Sequence, residues 1–254
     1  MSTEGAKESF GQRSEDYASA RPRYPRELFD WILTHVDRRE AAWDCATGTG
    51  QAAMSLAGHF DAVHATDLRS EQIAAAVAHP RVRYSVAPAE TTPFPDESFD
   101  LVTVAQALHW FDHPRFWSEV RRVSRSSGFF CAWGYAWFDV DDDVDTALVQ
   151  PVRKLIAPYW AANNRILWDG YVDADIACPF ERVRAPSFAI RVTWSITQLI
   201  AYLQTWSAFK LASADRVVDE ALRRTFDDAC ARFPLHEPLA VTMPLSVVAA
   251  RVHR

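Results

Sequence analysis

Two glycines and two acids form the first pattern in the chain that could do chemistry. In "AWDCATGTGQAA" (42–53), Gly48 and Gly50 flank Thr49, and Asp44 stands just upstream in an apolar stretch. Asp67 closes the next apolar stretch, "DAVHATD". With only 8 glycines in the chain, two so close together imply a backbone that takes angles other residues resist, or that a ligand approaches closely. A carboxylate at the end of the following strand is placed to accept hydrogen bonds from two ribose hydroxyls. Together these residues point to a bound nucleoside.

The elements needed to position them follow from the pattern. "AAWDCA" is a short strand, "GQAAMSLAG" a small-residue helix and "DAVHATD" a second strand. Ser70 is placed to cap a helix over "EQIAAAVAH", with Ile73, Ala74 and Val77 on one face and a stop at Pro80. "VRYSVA" and "SFDLVTVAQAL" hold the third and fourth strands. Asp112-His113-Pro114 starts a helix with Phe116, Trp117, Val120 and Val123 inward, ended by "SRSSG", and "FFCAWGY" is the fifth strand. Strands alternating with helices imply a parallel, doubly wound α/β sheet. Its ligands sit beyond the carboxyl ends of the strands, where the first strand's glycine turn lies.

Outside this run the pattern changes. Residues 1–40 hold no strand and read as an N-terminal helical lid segment, with an amphipathic helix in "PRELFDWILTHV" placing Leu28, Trp31, Ile32 and Val36 together. Residues 41–136 are the cofactor-binding core. Residues 137–254 open with "DVDDDVD", read as a solvated acidic turn, and add a helical cap plus two late strands, "SFAIRVTWS" and "LAVTMPLSVVAARV". The expectation is one α/β domain with a cap.

Composition excludes several classes. A net charge of −6 disfavours a nucleic-acid partner. No apolar stretch approaches the roughly 20 residues that span a bilayer, and the N-terminus lacks a signal-peptide core. Cys45, Cys131, Cys178 and Cys230 show no metal-ligand spacing, so no metal is expected, and reduced thiols in a cytoplasmic protein are the reading. "GTGQAA" also fits a dinucleotide fingerprint, which keeps an NAD(P)-dependent oxidoreductase as an alternative. Its late position in the chain, the acid on the strand and the lack of a following phosphate-binding cation disfavour that alternative. A catalytically inactive nucleoside-binding regulatory protein is the other.

"WDCATGTGQ", then Asp67-Leu68, then "APAETTPFPDESFDLVTVAQALHWFD" resemble the class I S-adenosylmethionine-dependent methyltransferases of the small-molecule branch. "YASARPRYP", "ALHWF" and "YLQTWSAF" are similar to the trans-aconitate methyltransferase-like members. The resemblance implies a seven-stranded, mostly parallel Rossmann-like sheet, S-adenosyl-L-methionine as cofactor and a small-molecule acceptor, such as a carboxylate or another oxygen nucleophile, methylated by direct displacement.

It also implies roles for particular residues. Asp44 holds the methionine end near its ammonium, directly or through water, and Ala46, Thr47, Gly48 and Gly50 contact the amino-acid portion. Asp67 takes the ribose, Leu68 packs on the adenine, Ala89 and Glu90 edge it, and Ala105 and Gln106 close the floor. The family usually has glycine at the position of Ala46, whose methyl fits if the backbone there is extended. Displacement from a sulfonium needs alignment and exclusion of water more than acid help. His109 is the histidine that faces the methyl, as base, hydrogen-bond donor or pocket wall. Tyr17, Arg21 and Tyr24 form a lid, with Arg21 offering a fork to a carboxylate. Trp206 and Ser207 line the acceptor pocket or, for Trp206, the core.

Overall fold

The computed structural model describes residues 22–253. Strands β1 (Ala41–Cys45), β2 (Ala62–Asp67), β3 (Val82–Val86), β4 (Phe99–Ala105) and β5 (Ser124–Gly134) pair in parallel in the spatial order β3-β2-β1-β4-β5. The chain order reverses between β1 and β4, which is where an open sheet of this kind leaves a crevice at its carboxyl edge. β4 sits between two partners with only Ala105 less than buried, as an apolar run without a wet face requires.

Among the described residues the sheet has eight strands where seven were expected. β8 (Leu239–Val252) runs antiparallel to β5, and β6 (Glu181–Val183) runs antiparallel on β8, while β7 (Phe188–Trp194) also pairs with β8. β6 escapes a sequence reading because its three residues are mostly exposed and too few to show a period of two.

Apolar faces fill both sides of the sheet. Helix α1 (Arg26–Leu33) buries Leu28, Phe29, Ile32 and Leu33, and α2 (Gln51–Leu56) buries Ala52, Ala53 and Leu56 in the same cluster. On the other face Trp43, Phe99, Phe116, Trp117 and Phe130 pack together, with Phe116 and Trp117 supplied by helix α4 (His113–Val123). Asp112 caps α4 by accepting from the Arg115 N–H.

Three local expectations are corrected. Helix α3 spans only Ser70–Ala74, is preceded by Arg69 at the cap position, and buries none of its residues. After Ala74 the turn tightens, with the Ala76 N–H on the Ile73 carbonyl three residues back, and the Tyr84 hydroxyl donates to the carbonyl of Val77, which is 60% exposed. The helix ends at Val123, where "SRSSG" begins, as expected, but the fifth strand is longer than "FFCAWGY": β5 starts at Ser124, pairs there with Phe99, and resumes with Phe129 opposite Leu101. The acidic "DVDDDVD" is partly helical, since the Asp141 carboxylate accepts from the Asp143 and Val144 N–H groups and so starts a helical turn over Asp142–Val144.

The chain forms two compact units. One comprises Arg23–Ala136, Arg165–Ala189 and the chain from Pro244, and holds the parallel strands. The other comprises Trp137–Asn164 and Ile190–Met243. Its helices include Gln150–Ile156, Ile196–Gln204, Ser207–Ala212 and Arg216–Arg232. Ser195 and Gln198 form a capping box ahead of Ile196–Gln204, and Asp215 caps Arg216–Arg232. Among the described residues no helix is long and apolar enough to cross a membrane. All four cysteines are free.

Candidate functional site

The turn after β1 is built from left-handed backbone. Ala46, Gly48 and Gly50 have φ of 54°, 59° and 93°. Glycine takes these angles without penalty, and at Gly50 it is required twice over, because a Cβ there would lie 2.2 Å from the Tyr84 hydroxyl. Ala46 is not extended, as its tolerance of a methyl had suggested. It carries the left-handed angle at a cost of roughly 1–2 kcal/mol. The next residue is anchored, with the Thr47 N–H donating to the Thr66 carbonyl at 2.8 Å, and that bond holds the strained angle in place.

Asp67 ties this turn to the end of β2. One carboxylate oxygen accepts from the Gly48 N–H and the other from the Arg69 N–H, each at 2.9 Å. A carboxylate has about four lone-pair positions, so two remain for a ligand's hydroxyls. Leu68, directly after it, is 70% exposed. An apolar side chain left open beside a half-used carboxylate and a left-handed turn is what a nucleoside's base, ribose and tail would need.

Asp44 lies beneath the turn and is fully buried. Its carboxylate accepts from the Thr47 hydroxyl and, at 2.8 Å, from the Thr103 hydroxyl of β4. Burial pushes its pKa up to about 6, while the two threonines and the Ala53 N–H in the first turns of α2 pull the other way. The acid and the turn are therefore one hydrogen-bonded body.

The end of β4 forms the next wall. Gln106, at φ 58°, locks its side-chain amide onto Tyr135, donating to the carbonyl and accepting from the N–H at 3.1 Å each. Gly134 is glycine for space: a Cβ there would lie 2.6 Å from Leu167, 2.7 Å from Gln106 and 3.0 Å from the Tyr171 hydroxyl. His109 sits in the turn Leu108–Trp110, is buried, and has its Nδ1 at 3.2 Å from the Tyr171 hydroxyl. Burial first, and His113 second, lower its pKa to about 4, so the ring is neutral at physiological pH. Burial also raises the Tyr171 phenol, which keeps its proton. A buried O–H has to be donated. The Tyr171 proton goes to Nδ1, which leaves the His109 hydrogen on Nε2.

The remaining expected residues are placed as follows. Ala89 is buried, and Glu90 accepts from the Asp112 N–H at 3.0 Å, joining its loop to the start of α4. Ala105 is the last residue of β4. Tyr24 packs edge-on against Trp133 of β5 with ring centroids 5.4 Å apart, so it is part of the wall of α1 and β5. Tyr17 and Arg21 lie outside the described residues. Trp206 is buried in the second unit, and Ser207 is exposed at the start of Ser207–Ala212. Sequence reasoning missed Thr103, Gly134 and Tyr171. A polar residue in the otherwise apolar "DLVTVA" was the one available signal, for Thr103. A surface groove of about 320 Å³ between α4 and the 177–179 segment, lined by His113, Trp117 and Arg121 among others, shares none of these residues.

Comparison with known proteins shows the family. A family model described as a methyltransferase domain matches residues 43–132. A Dictyostelium discoideum protein described as a methyltransferase is 33% identical over 206 residues, covering 80% of this chain and 78% of its own. A Saccharomyces cerevisiae protein described as an S-adenosylmethionine-dependent methyltransferase is 30% identical over 131 residues, 48% of this chain and 45% of its own. A solved structure from Anaeromyxobacter dehalogenans, described as a type II methyltransferase, superposes with a TM-score of 0.77 at 38% identity, over 92% of this chain and 98% of the other. The fold and these relatives define an α/β methyltransferase. The chain belongs to the class I S-adenosylmethionine-dependent methyltransferases, and S-adenosyl-L-methionine is its cofactor.

Proposed function

We propose that the protein transfers the methyl group of S-adenosyl-L-methionine to a small-molecule acceptor whose nucleophile is an oxygen, a carboxylate above all. The observation that carries the cofactor assignments is the Asp67 carboxylate spanning Gly48 and Arg69, with Leu68 open beside it. In this reading Asp67 takes the ribose hydroxyls, Leu68 covers the adenine face, and Ala89 and Glu90 border its edge. The backbone of Ala46, Thr47, Gly48 and Gly50 follows the amino-acid portion. Asp44, being covered, supplies negative charge to the ammonium from beneath Thr47, through water instead of by direct contact. Ala105 and Gln106 form the floor.

When bound, the cofactor supplies a methyl on a sulfonium, a leaving group that departs without protonation. What the chain has to do is align the acceptor and keep water out. His109 suits that task as a donor. In this reading its neutral ring offers a hydrogen bond to an acceptor oxygen, while a pKa near 4 makes it a poor proton acceptor at neutral pH. An acceptor that arrives already ionised, as a carboxylate does, needs no base. The lid role of Tyr17 and Arg21 belongs to the same proposal. A trans-aconitate methyltransferase-like specificity is supported by the quoted motifs alone. The free cysteines accord with a cytoplasmic setting.

Calorimetric titration with S-adenosylhomocysteine and with NAD tests the cofactor. Transfer from methyl-labelled S-adenosylmethionine to a panel of carboxylic acids, phenols and amines tests the acceptor. Binding of NAD in preference to S-adenosylhomocysteine would defeat the first part. Turnover confined to amines would defeat the second, and binding without any turnover would leave a regulatory protein.

A further inference from the structure

Tyr171 takes a left-handed backbone angle, φ 58°, although it carries a side chain and is only 2% exposed. Its position in the chain does not demand that angle. The helix Asn164–Trp168 is closed by a Schellman motif, in which the Tyr171 N–H donates to the Ile166 carbonyl at 2.9 Å and the Gly170 N–H to the Leu167 carbonyl at 3.0 Å. Such a motif needs one left-handed residue, and Gly170 supplies it at φ 81°. Tyr171, one position further on, is a second. Buried residues held in unfavourable backbone angles cluster at functional sites.

The contacts of the Tyr171 side chain show what the angle accompanies. Its hydroxyl lies 3.2 Å from Nδ1 of His109, with the two rings 6.2 Å apart and tilted by 31°. Among the described residues that nitrogen is the hydroxyl's hydrogen-bond partner. The same hydroxyl and the Gln106 amide oxygen both occupy the space that a Cβ on Gly134 would need. Gln106 is itself left-handed and has its amide committed to Tyr135. Tyr171 therefore joins His109 to the end of β4 in one packed contact. On another side, Nε2 of His113 donates to the Leu108 carbonyl at 3.0 Å and so holds the turn that carries His109.

We propose that Tyr171 is a positioning residue for the transfer step, acting through His109. Its hydroxyl holds the plane of the imidazole and keeps the ring's hydrogen on Nε2, at a fixed place relative to Gln106. The consequence for methyl transfer rests on the proposed function, whereas the hold on the ring does not.

The test is nitrogen NMR of histidine-labelled full chain without cofactor, the His109→Gln spectrum identifying the His109 signals. In the parent, Nδ1 should carry no hydrogen and show the shift of a lone pair that accepts a hydrogen bond. Tyr171→Phe keeps the ring and removes only the hydroxyl. It should move Nδ1 to the position of an unbonded lone pair and raise the ring's titration midpoint by about 0.5–1 pH unit, because the phenol can donate only to the neutral ring. His113, which lowers the same midpoint, is present in both proteins. With methyl-labelled S-adenosylmethionine and the panel of carboxylic acids, Tyr171→Phe should lower kcat about twofold to tenfold and leave KM for S-adenosylmethionine within about twofold. In the His109→Gln protein the same substitution should have no further effect, which a merely structural role would not give. A hydrogen on Nδ1 in the parent would overturn the proposal, and that spectrum needs no variant to fold. So would an Nδ1 signal and midpoint that do not respond to Tyr171→Phe, an unchanged kcat, or a loss that persists in full beside His109→Gln. If Nδ1 responds as expected and no acid is methylated, the proposed function fails alone. If acids are methylated and Nδ1 does not respond, this inference fails alone.

Discussion

Replacing Asp44 with Asn should make the protein more stable at neutral pH while weakening its cofactor site. The carboxyl is fully buried, and its pKa rises from 3.8 to about 6, chiefly through burial. A folded pKa above the unfolded one means that the native state holds the proton more tightly. The stability this contributes is fully present below 3.8 and is lost as pH rises through about 6. At about 1.4 kcal/mol per pH unit, keeping the group ionised at neutral pH costs the fold about 3 kcal/mol. Asn cannot ionise and so removes that loss. Against this, the Thr47 and Thr103 hydroxyls both donate to the carboxylate, and one must turn round to accept from the new amide. That exchange costs about 1 kcal/mol. The net expectation is a gain of about 1–3 kcal/mol at about pH 8, with Tm rising roughly 2–4 °C for each kcal/mol in a chain of this size. Near pH 4 the advantage should vanish, because the native carboxyl is then neutral too. Urea unfolding of both proteins from about pH 4 to 8, without cofactor, measures the difference. A variant less stable than the parent at pH 8, or a gap that does not change with pH, would refute the account of Asp44 as a buried charge. In the same variant S-adenosylhomocysteine should bind about tenfold more weakly, since the charge proposed to face the ammonium is gone.

Asp67→Ala removes the acceptor of both the Gly48 and Arg69 N–H groups and of the proposed ribose bonds, so S-adenosylhomocysteine affinity should fall about tenfold to a hundredfold; unchanged affinity by calorimetry in a folded variant rules the assignment out. Gly50→Ala should cost the fold at least about 1 kcal/mol for its left-handed angle, and Tyr84→Phe in the same chain should recover part of the clash with the hydroxyl. Denaturation midpoints that do not move for Gly50→Ala would contradict the turn geometry. His109→Gln, which keeps a donor at the Nε2 position, should retain turnover within about tenfold, and the parent's rate should show no inflection at the usual histidine pKa because this ring titrates near 4. A thousandfold loss in His109→Gln with acceptor affinity preserved, or an inflection near 6.5 that the variant lacks, would make His109 the base.

What could be read from the sequence at the carboxyl edge depended on whether a residue's own backbone demanded it. Gly48 and Gly50 stood out because left-handed angles favour glycine, and Asp67 because it closes an alternating strand one unit further on. Ala46 takes the same kind of angle without advertising it. Its methyl gives no sign of the strain, and the Thr47 to Thr66 bond that fixes it crosses between strands. The helix after β2 looked longer than it is because alanines are good helix formers wherever they stand. Nothing local shows that the turn tightens after Ala74, with the Ala76 N–H on the Ile73 carbonyl. Tyr171 was out of reach for another reason. It sits 62 positions from His109, in the part of the chain read as a helical cap, and its partner is set by where that part returns to the sheet. Yet Tyr171 decides what His109 can do. Without it the ring could carry its hydrogen on either nitrogen, and base and donor would be equally open. With a buried phenol that donates to Nδ1, Nε2 keeps the proton, which is what the donor role proposed for the histidine requires. The identity of the histidine was local information, whereas its chemistry is a consequence of the tertiary fold.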